Sequence, residues 1–225
     1  MRVILATMVV VGGLAVAFIV VVPAHAEPQA CPPVCDQIPD SAWIQRRAVP
    51  LDSVYSWPAL AGQAAQVTGA APGARFRFEE LCATPPVPRD PRDSAVVARA
   101  TVAHPDGQWQ LQAQIMHWRG DTASGGAIAA SVFNNAVAAL RSCQQRAPQQ
   151  SPSLTSDETN RLAAVISGPV VMHTYVVAHP ASSTISELTL WSSGPPQVPW
   201  PTMADDPVLN AMTAPLCEAY IASCP

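Results

Sequence analysis

The chain has 225 residues, 12 basic side chains against 16 acidic ones, and a formal net charge of −4. All of the basic residues are Arg, and the absence of Lys excludes Lys nucleophiles, Schiff bases and Ser-x-x-Lys sites. A mildly negative chain of this length offers no electrostatic footprint for nucleic acid or an anionic membrane, yet it can bury the core of a domain.

The first 26 residues have the pattern of a secretory signal. Arg2 is followed by an apolar stretch from Val3 to Val22 and then by the small-x-small triplet Ala24 to Ala26. We expect cleavage after Ala26, which would place the mature chain in the cell envelope or outside the cell. The alternative is a retained anchor, because about twenty apolar residues can span a bilayer. Only in that case would the protein contact a membrane.

The cysteines agree with export, since all of them follow the expected cleavage site: Cys31, Cys35, Cys82, Cys143, Cys217 and Cys224. An even number of cysteines in an exported chain predicts disulfide bonds. Zinc needs about four ligands, and no second close pair of Cys or His follows Cys31 and Cys35, so we expect no metal. Because Cys143 and Cys217 both lie late in predicted helices, we expect a bridge between them.

The part before the clearest strands is rich in Pro. Residues 27–39 form an expected extended segment, and residues 40–225 are expected to form a single domain. Helices are predicted at residues 40–46 and 57–67 because each has a start signal at its first turn. Aromatic residues alternate with charged ones at residues 74–82, which predicts a strand.

A β-hairpin gives the clearest pattern. Ala95 to Ala103 is predicted as a strand, His104 to Gly107 as a turn and Gln108 to Trp118 as the return strand. The return strand places Trp109, Leu111, Ala113 and Ile115 on one face and Gln108, Gln110, Gln112 and Gln114 on the other. This period of two predicts that the apolar face is inside and the amide face is outside.

A helix and a second hairpin follow. Apolar spacings of three and four predict a helix from Ala127 to Cys143, entered through a glycine-rich loop and followed by a polar loop at residues 147–156. Residues 169–178 and 183–191 are the strands of the second hairpin, and a C-terminal helix opens at Pro207. Both hairpins have Val-Ala-His-Pro at the end of their first strand. We therefore predict an α+β fold, an antiparallel sheet of about four to five strands with helices packed on one face.

The sequence lacks the common catalytic motifs. Gly-x-Ser-x-Gly, His-Glu-x-x-His and the glycine-rich phosphate loops are missing. We therefore assign no catalytic residue, no metal ligand and no cofactor. Two alternatives stay open: a zinc site formed by His117, His173 and a carboxylate, and an extracellular hydrolase with an unrecognised Ser-His-acid or metal site, because triads are defined by geometry and not by order.

The preferred function is non-catalytic binding or sensing. Trp109, Trp118 and Trp191, together with His117 and His173, would line a cleft between the sheet and the helices. The alternative is that these tryptophans belong to the core. The ligand would be a small molecule, a glycan or an envelope protein.

The order of elements from Ala95 onward resembles the extracellular sensor domains of PknH-like mycobacterial kinases and their free-standing secreted relatives. The resemblance lies in the strand Gln110 to Trp118, the helix ending at Cys143, the strands Val170 to Val177 and Ser186 to Trp191, and the last helix with Cys217. It implies a disulfide-bonded α+β module with a ligand cleft. No kinase domain is present in the sequence, so signalling would need a partner, and no binding residue is carried over from the family.

Overall fold

The computed structural model describes residues 37–67 and 74–220. The expected signal segment, most of the Pro-rich segment, Cys31, Cys35 and Cys224 lie outside the described residues.

Seven strands form one antiparallel sheet in the order β1-β2-β3-β7-β6-β5-β4. The strands are β1 Ala64–Gln66, β2 Val96–Val102, β3 Gln110–His117, β4 Ser151–Glu158, β5 Arg161–Ser167, β6 Val171–His179 and β7 Thr184–Ser192. The predicted α+β character and antiparallel sheet are confirmed. The predicted number of strands is too low, because β1, β4 and β5 were not foreseen. Strand β5 is buried on both faces and has no alternation, whereas β4 lies in the predicted polar loop.

The two predicted hairpins are present and meet at the centre of the sheet. Strands β2 and β3 form the first hairpin and β6 and β7 the second. Strand β3 pairs with β7 over its whole length, from Gln110 opposite Trp191 to His117 opposite Thr184. The two hairpins therefore form one continuous sheet.

Five helices are described: α1 Asp52–Tyr55, α2 Arg77–Leu81, α3 Thr122–Arg141, α4 Cys143–Arg146 and α5 Asp206–Ala219. Short 3₁₀ turns lie at Asp40–Ala42, Arg46–Ala48, Leu60–Gln63, Pro91–Ser94 and Pro180–Ser182. The predicted helix at residues 57–67 is wrong, because this stretch contains only the turn at Leu60–Gln63 and strand β1. The predicted C-terminal helix is confirmed as α5, which includes Pro215.

The helices cover both faces of the sheet. The prediction that they pack on one face is therefore wrong. Along β6, Tyr175 and Val177 pack in the core that contains α5, whereas Val176 and Ala178 pack in the core that contains α3. Neighbouring residues of a strand point to opposite faces of a sheet. The molecule therefore has an α3 layer (α2, α3 and α4) and an α5 layer (α5 with α1 and the turns of residues 40–63).

Helix α2 occupies the stretch predicted as a strand. The Glu79 carboxylate accepts a hydrogen bond from the Phe76 backbone N–H (2.7 Å), and the Arg77 N–H donates to Glu187 on the sheet (2.7 Å). Both partners satisfy donors at the start of a helix. The two alternating aromatic residues, Phe76 and Phe78, are therefore buried at the start of a short helix and do not form one face of a strand.

Helix α3 begins earlier than predicted, at Thr122, because Asp121 caps it by accepting the Ser124 N–H (2.9 Å). Gly125 and Gly126, assigned to a loop from the sequence, lie buried within its first turns. Among the described residues, α3 is the one helix long and apolar enough to cross a membrane, but half of that stretch is buried inside the protein. Burial at this level is expected for a core helix.

A disulfide bond joins Cys82 and Cys143, whose Cα atoms are 4.6 Å apart. The predicted bridge between Cys143 and Cys217 is therefore wrong. Cys143 packs in the α3 layer and Cys217 follows Leu216 in the α5 layer. The sheet lies between these two layers, whereas bridged Cα atoms lie within about 7 Å. Cys217 is also disulfide-bonded.

Candidate functional site

The five residues predicted to line a cleft do not lie together. Trp109, His117 and His173 point into the α5 side of the sheet, whereas Trp118 and Trp191 pack in the α3 layer. Trp109 is fully buried and Trp118 nearly so. The sheet separates Trp109 from Trp118 and Trp191, so the three tryptophans do not face one cleft.

Trp109 and His173 do come together, with a third residue that the sequence did not single out. The Trp200 indole stacks on the His173 imidazole (ring centroids 3.5 Å apart), and Trp109 meets Trp200 edge to face (5.0 Å). The Trp109 indole N–H donates to the Val198 carbonyl (2.8 Å), which fixes the Pro-rich loop between β7 and α5 (residues 193–205) on the sheet. We refer to Trp109, His173 and Trp200 as the tryptophan–histidine cluster.

Burial makes His173 a neutral side chain. Desolvation lowers the pKa of its imidazole to about 4, against the opposing charge of Asp205. The same environment raises the pKa of the Tyr175 phenol, since burial and the Asp205 carboxylate both disfavour a phenolate. Neither group ionises near neutral pH, so this cluster offers aromatic surface and hydrogen bonds, not charge.

A second group of rings adjoins this cluster. Tyr55 stacks on Trp57 (4.7 Å), and the His104 ring lies 5.0 Å from Tyr55. The Tyr55 hydroxyl donates to Gln108 Oε1 (2.7 Å) and accepts the Trp109 backbone N–H (3.2 Å). These bonds attach α1 to the β2–β3 turn.

His117 lies at the other end of the sheet from His173. Its Nδ1 is 3.2 Å from Thr184 Oγ1, and its ring stacks on Tyr220 (4.5 Å). The strand register places His117 about six residues, or about 20 Å, along the sheet from His173. The two rings are too far apart to bind one metal ion, and the described residues contain no cluster of three metal-ligating side chains.

One His–Ser contact bears on the hydrolase alternative. His179 Nδ1 lies 2.8 Å from the hydroxyl of Ser182 in the turn between β6 and β7. Ser182 is buried and also donates to the His179 carbonyl (3.2 Å). Desolvation lowers the pKa of His179, and no described carboxylate forms a hydrogen bond with it. The pair provides two of the three groups of a triad.

The amide face of β3, predicted to face solvent, is buried at Gln112 and Gln114 and half-buried at Gln108 and Gln110. Gln114 is fully buried, and its Nε2 donates to Glu187 Oε2 (2.7 Å) and to the Arg75 carbonyl (3.0 Å). Arg99 Nη2 donates to Gln114 Oε1 (2.9 Å), and Thr189 Oγ1 donates to Glu187 Oε1 (3.2 Å). The Gln114 amide and the Glu187 carboxylate thus have partners, as burial requires. The network extends over β2, β3 and β7.

The surface next to α1 contains an open groove of about 430 Å³. Residues 47–53 form one wall, and Pro201, Met203 and Pro207 form the other. The buried Trp57 indole donates to the Pro50 carbonyl (2.8 Å), which fixes the first wall on the core. We call this feature the α1 groove. The sequence did not predict this groove. It showed only that the segment before α5 is rich in Pro, which is typical of a loop.

Comparisons with protein-family models, curated proteins and solved structures find no match to this chain. The predicted resemblance to PknH-like sensor domains therefore stays a prediction.

Proposed function

We propose that this chain is an exported cell-envelope protein that binds a ligand at the α1 groove without transforming it. Its volume lies within the range of about 300–1,000 Å³ that is usual for small-molecule sites. Most of its lining is apolar, with a few polar groups at Arg47, Asp52 and Ser53. That composition is typical of sites that bind and orient a small molecule.

Export is supported by the N-terminal pattern and by the oxidised cysteines. The Cys82–Cys143 bridge is fully buried, and disulfide bonds are typical of compartments outside the cytoplasm. Fusing alkaline phosphatase to the C-terminus of the full chain tests export, because that reporter folds only after translocation. We expect an active fusion and a mature chain that begins at Glu27 by mass spectrometry. An inactive fusion with an intact Met1 would overturn this part of the proposal.

Methionine methyl NMR tests binding at the groove. Met203 lies in the groove, whereas Met116, Met172 and Met212 are buried in the two cores and serve as internal controls. We expect dodecyl maltoside, a neutral amphiphile, to shift the Met203 methyl signal saturably and to leave the other three in place. No shift at Met203, or equal shifts at all four, would contradict a site in the groove.

A hydrolase is the second candidate, since His179 and Ser182 are in hydrogen-bond contact. Hydrolysis of p-nitrophenyl butyrate by the purified chain, compared with S182A, distinguishes the two functions. The binding proposal expects no turnover above that of the variant. Turnover that S182A abolishes while the variant keeps its melting temperature would establish the hydrolase.

A further inference from the structure

Two cationic side chains, one in the lining of the α1 groove and one next to it in the chain, have no partner among the residues that the structure describes. Arg46 and Arg47 are exposed, and neither forms an ion pair or a side-chain hydrogen bond with a described residue. Other arginines of the described chain pair with carboxylates, namely Arg75, Arg77, Arg92, Arg141 and Arg161. Arg46 and Arg47 therefore place two exposed guanidinium groups, without an acidic partner in the described part of the chain, next to each other at this surface.

Exposed apolar surface is concentrated at the same place. Val54 is 56% exposed and Met203 is 38% exposed, and they are two of the three large hydrophobic residues described as exposed. Met203 lines the groove, and Val54 follows its wall directly in α1. An apolar surface bordered by polar groups is typical of a binding site, because its exposure to water is otherwise unfavourable.

The groove contains one opposing charge. Asp52 also lines it, and the buried Oδ1 of this carboxylate has no hydrogen-bond partner in the described part of the chain. Arg47 lies in the same lining, and Arg46 precedes it in the chain, so two exposed guanidinium groups are available here against this one lining carboxylate. Leu51 and Ser56, on either side of α1, have positive φ angles of 66° and 49°. Strain of this kind in residues other than Gly is frequent at ligand sites.

We infer that the groove binds a single-chain amphiphile with a carboxylate head, of the fatty-acid type. The head would pair with Arg46 and Arg47, whose guanidinium forks suit carboxylates. The chain would lie along Pro50, Met203 and Pro207. This inference rests on the proposed binding function and names the ligand class for that site.

Two amphiphiles of equal chain length test the head group. Laurate and dodecyltrimethylammonium are titrated below their micelle concentrations into the methionine-labelled protein, with the Met203 methyl signal as the readout. We expect saturable laurate binding and an affinity for the cationic amphiphile that is at least about tenfold weaker, since its head faces two guanidinium groups.

Charge variants of the groove test the residues. R47Q is expected to weaken laurate binding about tenfold, and D52N is expected to strengthen it a few-fold because it removes the negative charge beside the head. R89Q is the matched control: Arg89 is also exposed and has no described partner, but it does not line the groove. Unchanged signals from Met116, Met172 and Met212 show that each variant is folded.

The outcomes separate this inference from the proposed function. Equal affinity for both amphiphiles would overturn the inference that the ligand has a carboxylate head, while leaving a site in the groove. The same conclusion would follow if R47Q bound laurate as tightly as R89Q does. A Met203 signal that responds to neither amphiphile nor to dodecyl maltoside would overturn both.

Discussion

Glu187 organises the polar side of the sheet. It is fully buried, and it accepts hydrogen bonds from the Arg77 backbone and the Gln114 side chain. Desolvation raises the pKa of Glu187 to about 7, although the hydrogen bonds from the Arg77 backbone and the Thr189 hydroxyl and the Arg99 charge act in the opposite direction. In the unfolded chain the same carboxyl titrates near 4.5. The folded protein therefore keeps a proton that the unfolded chain releases between these two pH values.

This linkage gives stability a defined pH dependence. Because the folded pKa is raised, the stabilisation due to Glu187 is complete below pH 4.5 and is lost as the pH rises towards 7. The unfolding free energy of the wild type relative to E187Q is expected to fall by about 3 kcal/mol across that window. Urea unfolding of both proteins at a series of pH values measures this difference in unfolding free energy.

The control for this prediction is E80Q. Glu80 lies in α2, the helix that packs on Glu187, with 58% of its side chain exposed and Arg77 as its ion-pair partner. Its removal is expected to leave the pH dependence almost unchanged, because exposed ion pairs contribute little. Parallel stability curves for wild type and E187Q would show that Glu187 has no raised pKa.

At the scale of elements, the entry of α3 depends on close packing and not on flexibility. A Cβ atom added at Gly125 would lie 2.4 Å from Ser183 Oγ, and one added at Gly126 would lie 2.5 Å from the Pro180 carbonyl oxygen. The helix therefore contacts the turn between β6 and β7 at distances that only Gly allows. The sequence shows two glycines, but it does not show which surface they face.

G125A is expected to destabilise the protein by about 1–3 kcal/mol, because the new methyl group overlaps the Ser183 side chain. G62A is the matched control, since a Cβ at Gly62 would meet nothing within 4 Å, and it is expected to change stability by less than about 1 kcal/mol. Chemical denaturation of both variants provides the measurement. Equal stabilities would show that α3 does not approach the turn this closely.

Strands β2, β3, β6 and β7 could be predicted because each has a strong apolar pattern bounded by turn residues. Strand β4 could not, because it lies at the edge of the sheet and its sequence is polar. A bulge between Leu154 and Ser156 interrupts its pairing, and Pro152 has no backbone N–H to donate. Both features limit edge-to-edge association of sheets, and both make the strand look like a loop in the sequence.

At the scale of the whole molecule, the described residues form one sheet with a separate hydrophobic core on each face. Leu188 and Leu190 of β7 pack towards α5, whereas Ile185 packs towards α3. Val208, Leu209, Met212 and Leu216 form the buried stripe of α5. The stability of the protein therefore depends on α5 as well as on α3.

Neighbouring residues of α5 test this second core. Leu209 is fully buried, whereas Asn210 is exposed. L209A is expected to lower the unfolding free energy by about 3 kcal/mol, as a large-to-small change in a packed core does, and N210A to change it by less than about 0.5 kcal/mol. Urea denaturation followed by Trp fluorescence checks both. A small effect of L209A would indicate that α5 packs only loosely on the sheet.

The candidate site was only partly accessible to sequence reasoning. The pattern identified Trp109 and His173 as residues of interest, and the fold brings them together with Trp200. The sequence pattern could not show that Trp118 and Trp191 pack on the opposite face of the sheet from Trp109. A strand pattern defines two faces but does not show which elements cover them. The α1 groove joins residues 47–53 to Pro201, Met203 and Pro207, which are more than 140 residues apart in the chain.

The sequence by itself determined the local secondary structure and the fold class: two hairpins, a long helix, a C-terminal helix, and an antiparallel α+β class. These follow from periodicity and turn residues, which act over a few neighbouring positions. Tertiary structure alone decided that the glutamine face is buried, that helices lie on both faces, and that Cys82 and not Cys217 bonds Cys143. The reason is physical, because burial, disulfide pairing and groove formation depend on distances between segments remote in the chain.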